Sequence, residues 1–337
     1  MRAMVLRSFG KPLRLEEMPV PHLGSDQVLV KVYSCGVCHS DVKLANGWLP
    51  PERLPSLPHV LGHEIAGTIE DLGQAVTSLK KGTKVVVYFY VGCGTCEHCR
   101  TGKQQLCENM VSQIGFTSHG GYAEFVAVPA ANVIQVPDTV DFPEAAIAAD
   151  AIATSLEAVK RTGGVGLCQR VAVVGLGGLG IHAAQIARLS GAWVTGIESV
   201  QPKLEQARKL GIGECFLTTE LGTNHFKQFH AVIDTVGSES SIGLARQLVK
   251  AEGTIVVLGY SSQSSAIIPT PELVRRQICV KGSRGCSKQS VVEALDLIAR
   301  RAITPVIGKE YPLHEANLAL EDLHAGRVTG RAVLRIC

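Results

Sequence analysis

The chain has 337 residues, 46% of them hydrophobic and 19% charged, with a formal charge of +3. That length and composition predict two globular domains, each large enough for its own core. A charge so near balance, with no basic run and no aromatic–basic array, argues against nucleic acid or an anionic membrane as partner.

The opening stretch, Met1-Arg2-Ala3-Met4-Val5-Leu6-Arg7, holds no apolar segment of signal-peptide length, and no uninterrupted apolar run is long enough to span a bilayer. The expected location is the cytosol. There, 11 cysteines read as metal ligands and buried thiols rather than as a disulfide framework. Residues 1–149 are rich in short β-type runs and turns, such as 28–33 and 84–89. Pro50, Pro51, Pro55 and Pro58 break the stretch between Trp48 and Val60, which is expected to be a loop. Cys93, Cys96, Cys99 and Cys107 follow in the spacing C-x2-C-x2-C-x7-C. Four thiolates so close can surround one tetrahedral Zn²⁺ with no open position, a structural site; disulfides or free buried thiols are the alternative.

From about residue 150 the rhythm changes. Short buried strands at 170–174, 193–198, 214–217, 230–234, 253–258 and 278–281 alternate with helical segments. This predicts a doubly wound parallel sheet covered by helices on both faces. After the strand 170–174 comes Gly175-Leu176-Gly177-Gly178-Leu179-Gly180, then an amphipathic helix, 181–190. Strand, glycine-rich turn and helix together form a dinucleotide fingerprint. Gly175 allows the tight turn, Gly177 admits the pyrophosphate and Gly180 lets the helix pack closely. The helix N-terminus offers free N–H groups to phosphate. Glu198 ends the second strand, where an acid accepts hydrogen bonds from ribose hydroxyls and repels a 2′-phosphate, so NAD is expected rather than NADP. Lys203 lies one short turn further on and supports the ribose side. The run 261–265 reads as a polar loop, 290–301 as a helix and 331–336 as a last strand.

The four-cysteine lobe, the fingerprint and three further segments carry a resemblance. The segments are Cys35-Gly36-Val37-Cys38-His39-Ser40-Asp41, Gly62-His63-Glu64-Ile65-Ala66-Gly67 and Ala148-Ala149-Asp150-Ala151. Together they resemble the zinc-dependent medium-chain alcohol dehydrogenases over nearly the whole chain. The resemblance implies a mostly-β GroES-like catalytic domain over 1–149 and 286–337, with the zinc lobe at about 92–108, and a Rossmann domain over 150–285. It implies NAD and two zinc ions per chain. By match, Cys38 and His63 are ligands of a catalytic zinc. The family's third ligand is commonly a cysteine, and this chain has Asp150 at that place. An ionised carboxylate inside so apolar a helix is costly unless paired or metal-bound; a helix cap or an ion pair is the alternative. Glu64 is the rival third or transient ligand.

Other roles follow from the same match. Asp41 resembles the acid that fixes a metal-bound imidazole. Ser40 resembles the hydroxyl that passes on the alcohol proton, and His39 and Arg331 resemble contacts of the cofactor pyrophosphate. Val236, Gly237 and Gly259 resemble loop residues on the nicotinamide side, and Trp48 and Phe89 substrate-lining positions. Lys43 stands where many relatives carry a relay histidine. Cys35 and His119 read as structural. The resemblance implies reversible hydride transfer between an apolar primary or secondary alcohol and NAD by a homo-oligomer, with a tetramer favoured over a dimer. A polyol or amino-alcohol dehydrogenase, and a non-catalytic or redox-sensing NAD-binding protein, are the alternatives.

Overall fold

The computed structural model describes residues 1–260 and 268–337; the run 261–265 lies outside the described residues. The chain divides into two compact units. The first comprises 1–150, 286–301 and 307–337, the second 151–285 and 302–306. Asp150 thus belongs to the first unit and 302–306 to the second, whereas the sequence division assigned them the other way round.

The first unit is built on a seven-stranded sheet. At its centre lies Gln27–Val37, antiparallel to Glu64–Leu72 on one side and to Arg331–Arg335 on the other. Phe125–Pro129 also pairs with Gln27–Val37. Lys84–Val87 and Val133–Gln135 extend one edge, and Ile307–Pro312 the other. The register decides what meets what. Gly36 pairs with both Glu64 and Val333, and Val37 pairs with Ala332. The chain just beyond Val37, the residues at the start of Glu64–Leu72, and Arg331 are therefore neighbours at one end of the sheet. The stretch between Trp48 and Val60 is loop apart from a short turn, Pro51–Arg53, and the strand His59–Val60, which pairs with Arg2–Leu6.

Phe142–Ile147 is an α-helix that Asp141 caps by accepting the Glu144 amide at 2.8 Å. It continues into a π-helical turn, Ala148–Ile152. Such a turn holds one extra residue and re-aims its side chains. Asp150 sits in it.

The second unit holds a six-stranded, all-parallel sheet. Its order is Glu214–Leu217, Trp193–Glu198, Arg170–Val174, Phe229–Asp234, Val249–Val257, Cys279–Gly282. The strand order reverses between Arg170–Val174 and Phe229–Asp234, which is the doubly wound pattern; right-handed crossovers then put helices on both faces. Central strands buried on both faces must be apolar along their length. Val171, Ala172, Val173, Val232, Ile233, Ile255 and Val256 are fully buried accordingly. Among the described residues no helix is long and apolar enough to cross a membrane.

Candidate active site

Cys38 lies immediately before the helix His39–Ala45. Its amide donates to Asp41 Oδ2 at 2.8 Å. The other oxygen of Asp41, Oδ1, faces His63 Nδ1 at 3.3 Å, a charge contact without hydrogen-bond geometry. One buried aspartate therefore touches both segments that resemble ligand segments. The His63 ring packs between Phe89, edge-on at 4.9 Å, and Phe116, at 4.7 Å. Asp150, turned inward by the π-helical turn, places Oδ2 3.5 Å from His63 Nε2 and 3.9 Å from Cys38 Sγ.

Ligand atoms of Cys38, His63, Glu64 and Asp150 all lie within 4.8 Å of one another, and all four residues are buried. Zinc bonds of ordinary length to sulfur, nitrogen and oxygen place tetrahedral donors about 3.4–3.6 Å apart. The observed separations need only a small contraction. One thiol, one imidazole and one carboxylate also suit zinc chemically, so the residues fit the ion. Arg331 donates to both Glu64 and Asp150. Burial pushes the Glu64 carboxyl up, to about 7, against the pull of the Arg331 guanidinium.

The expected phosphate contact, Arg331, is instead 3% exposed and engaged inside this cluster. Asp150 faces the other donors and is at the same time the partner of an arginine. Ser40 Oγ lies 3.0 Å from Cys38 Sγ. His39 is exposed. Lys43 is half-buried, and desolvation lowers its pKa. Phe89 is buried against His63, whereas Trp48 is 48% exposed with its ring 5.8 Å from that of His324. Cys35 is a buried thiol, and His119 Nδ1 accepts the Val60 amide at 3.2 Å.

The four cysteines of the lobe also converge. Cys93 Sγ is 4.0 Å from Cys99 Sγ, and Cys96 Sγ is 3.8 Å from Cys107 Sγ. Disulfide sulfurs stand about 2.05 Å apart. Four sulfurs on one zinc stand about 3.8 Å apart, as tetrahedral Zn–S bonds require. The Thr95 hydroxyl and the Cys96 amide hold the Cys93 thiol down, to about 6, which favours the thiolate.

In the second unit, Gly175 to Gly180 turn from the strand Arg170–Val174 into the helix Gly180–Leu189. A Cβ on Gly180 would stand 1.7 Å from Gly175 O, so helix and turn touch backbone to backbone. A Cβ on Gly177 would meet nothing within 4 Å. Protein packing does not demand that glycine, whereas close approach of a ligand would. Glu198 is 8% exposed. Its Oε2 accepts the Leu176 amide at 2.8 Å, and its Oε1 accepts the Ser199 amide at 2.7 Å. Oε1 also accepts the Ser199 hydroxyl at 3.1 Å, so Oε2 is the oxygen that keeps a further lone pair.

A cleft of about 270 Å³ is lined by Gly175, Glu198, Ser199, Thr218 and Val236, among others. Gly237 and Gly259 meet backbone to backbone, and Asp234 anchors their loop by accepting the Val236 and Gly237 amides. Gly178 and Leu179 complete the turn, and Lys203 lies half-buried in the first turn of Gln201–Lys209. Sequence reading missed Phe116, the cleft residues Ser199 and Thr218, and the engagement of Arg331. Only the polar run after Gly237 hinted at a hydroxyl-rich cleft.

Comparison with known proteins agrees with this anatomy. Residues 24–138 match the Alcohol dehydrogenase GroES-like domain, and residues 178–300 match the Zinc-binding dehydrogenase domain. An alcohol dehydrogenase of Geobacillus stearothermophilus is 33% identical over 100% of this chain and 99% of its own. An NAD-dependent alcohol dehydrogenase of Sulfolobus acidocaldarius is 33% identical over 100% of both chains. The crystal structure of the Aeropyrum pernix alcohol dehydrogenase superposes with a TM-score of 0.93 at 30% identity, covering 99% of this chain and 100% of that one. Full-length similarity, a doubly wound parallel sheet and a buried Cys–His–carboxylate cluster agree: the chain belongs to the zinc-dependent medium-chain alcohol dehydrogenase family.

Proposed function

We propose that this protein is an NAD-dependent, two-zinc alcohol dehydrogenase that interconverts an apolar primary or secondary alcohol with its aldehyde or ketone. The observation that carries the reading is the buried convergence of Cys38, His63 and Asp150 in a family member. Cys38, His63 and Asp150 would hold the catalytic zinc, and Cys93, Cys96, Cys99 and Cys107 the structural one. Zinc at the three-residue site supplies a Lewis-acid charge that lowers the pKa of an alcohol, and NAD supplies the hydride acceptor.

The rest falls to the chain's own side chains. Asp41 fixes the orientation of His63 and the backbone of Cys38. Ser40 takes the hydroxyl proton; its oxygen both accepts and donates. Glu198 accepts from the ribose through the remaining lone pair of Oε2, or through Oε1 where a hydroxyl displaces that of Ser199, and repels a 2′-phosphate. Gly177, Gly178 and Leu179 leave room and amides for the pyrophosphate, while Val236, Gly237 and Gly259 border the nicotinamide side. The first unit serves as catalytic domain and the second as cofactor domain.

Phe89 and Phe116 around His63 favour an apolar substrate over a polyol, although a carboxylate third donor is also a polyol dehydrogenase trait. Cysteines grouped as ligands suit a reducing compartment, so we place the enzyme in the cytosol. The outermost strand Cys279–Gly282 exposes all its residues. An open edge of this kind is a template for a second chain, which supports a homo-oligomer, with a tetramer favoured. The test is chelation. Removing zinc should abolish NADH formation from a simple alcohol, and adding zinc back should restore it; turnover that survives complete loss of zinc refutes the reading.

A further inference from the structure

His182 lies in the first turn of the fingerprint helix Gly180–Leu189 and is 0% exposed. Its Nδ1 stands 2.7 Å from Gly178 O, and its Nε2 accepts the Val306 amide at 3.0 Å. We infer that His182 is a positioning residue for the cofactor: it holds the peptide between Gly178 and Leu179 so that the Leu179 N–H faces the pyrophosphate. The inference rests on the NAD reading above.

The two partners fix the state of the ring. A carbonyl oxygen only accepts, so Nδ1 must carry a proton; an amide N–H only donates, so Nε2 must be bare. The neutral Nδ1–H ring is the form that satisfies both. Among the described residues no backbone amide reaches Gly178 O; the amides of His182 and Ala183 go to Leu179 O instead, at 3.1 and 2.9 Å. The imidazole supplies the bond that the helix does not.

A trans peptide is planar, and its C=O and N–H point in opposite directions. Holding Gly178 O against the buried ring therefore turns the Leu179 N–H away from that ring. Among the described residues this N–H, like those of Gly177 and Gly178, donates to no protein group. A phosphate is the acceptor that such a row of amides suits. Glycine at 178 makes the arrangement easy to lose, because its backbone turns freely. Turned over, the same peptide would present an oxygen to the anion.

The ring has a fixed far end in residues 302–306. Gln185, on the next turn of the helix, donates to Thr304 O at 3.0 Å and accepts the Thr304 amide at 2.8 Å. With Val306 on His182, these bonds tie 302–306 to the fingerprint helix, and that run accordingly belongs to the second unit.

The test uses the full-length, zinc-loaded protein and calorimetric Kd values for NAD, ADP and adenosine. NAD and ADP carry a pyrophosphate; adenosine offers the same base and ribose without phosphate. His182→Leu should weaken NAD and ADP about tenfold or more, the scale of one hydrogen bond to a charged group, and leave adenosine nearly unchanged. His182→Asn, whose amide nitrogen falls near the Nδ1 position and donates to Gly178 O, should restore most of the ADP affinity although it gives up Val306. Gln185→Met should lower Tm and leave the ratio of ADP to adenosine affinity as in wild type. Should His182→Leu not fold, His182→Gln takes its place: its longer side chain reaches Val306, leaves Gly178 O unheld and should lose ADP affinity.

Equal losses for adenosine and ADP would overturn the inference, since the ring would then support the domain and not the pyrophosphate. Full ADP affinity in folded His182→Leu would overturn it too, as would His182→Asn that binds ADP no better than His182→Leu. Wild type that binds neither NAD nor ADP would refute the NAD reading itself.

Discussion

Replacing Asp150 by Asn separates its two tasks. Asn keeps the size and one acceptor oxygen, so Arg331 Nη2 retains a partner where Asp150 Oδ2 now lies at 3.0 Å. Arg331 also keeps Glu64. The fold therefore loses little, and the expected change in Tm is small. The metal loses an anionic ligand from a pair formed with Cys38. Removing one partner of a buried charge pair costs about 3–5 kcal/mol. At about 1.4 kcal/mol per tenfold, that weakens zinc binding at this site by two to four orders of magnitude. The assay is zinc per chain after dialysis, read with the melting temperature and with kcat/KM. Near one zinc per chain, a nearly unchanged Tm and negligible turnover are expected. Two retained zincs with full turnover would refute the assignment of Asp150. Two retained zincs without turnover would move the ligand role to Glu64.

Other consequences follow from the same geometry. Glu198→Ala should raise the KM for NAD about tenfold or more, since each hydrogen bond to a charged group contributes about 1.5–3 kcal/mol, and should narrow the preference over NADP; an unchanged cofactor ratio would count against it. Gly180→Ala drives a Cβ to 1.7 Å from Gly175 O. Backbone must shift there, so a Tm drop and weaker NAD binding are expected, and a wild-type melting curve would contradict the packing argument. Cys99→Ser should release the lobe's zinc and lower Tm; unchanged zinc stoichiometry would refute a four-thiolate site.

Burial lowers the pKa of His59 to about 4, while the unfolded chain titrates near 6.5. Between those values the unfolded chain binds more protons, so this group's contribution to stability falls as pH drops through the window. The full loss is at most about 3 kcal/mol, at 1.36 kcal/mol per pKa unit. Denaturation curves of wild type and His59→Asn from pH 7 to 4 should differ in slope; parallel curves would remove His59 from the account.

The parallel sheet was readable because its strands are buried on both faces and separated by helices of another period. The strands expected at 170–174, 193–198 and 214–217 have those bounds in the structure. The first unit was less legible. Gln27–Val37 runs past the expected end at 33, because Ser34, Cys35 and Gly36 find partners on both sides, which a local pattern does not reveal. Asp150 announced itself by the cost of a carboxylate among alanines. The π-helical turn that aims it left no trace in Ala148-Ala149-Asp150-Ala151-Ile152, where every residue but one is an ordinary helix former. Arg331 was harder still. Its partner Glu64 lies 267 residues away in sequence, and only strand register brings them together.

The most direct test of the central claim follows NADH formation by the zinc-loaded protein across primary, secondary, cyclic and polyhydric alcohols. Turnover with simple apolar alcohols, lost in Asp150→Asn, is the predicted result. Silence across the panel from protein with two zincs and bound NAD would contradict it, leaving a family fold whose site does not perform this chemistry.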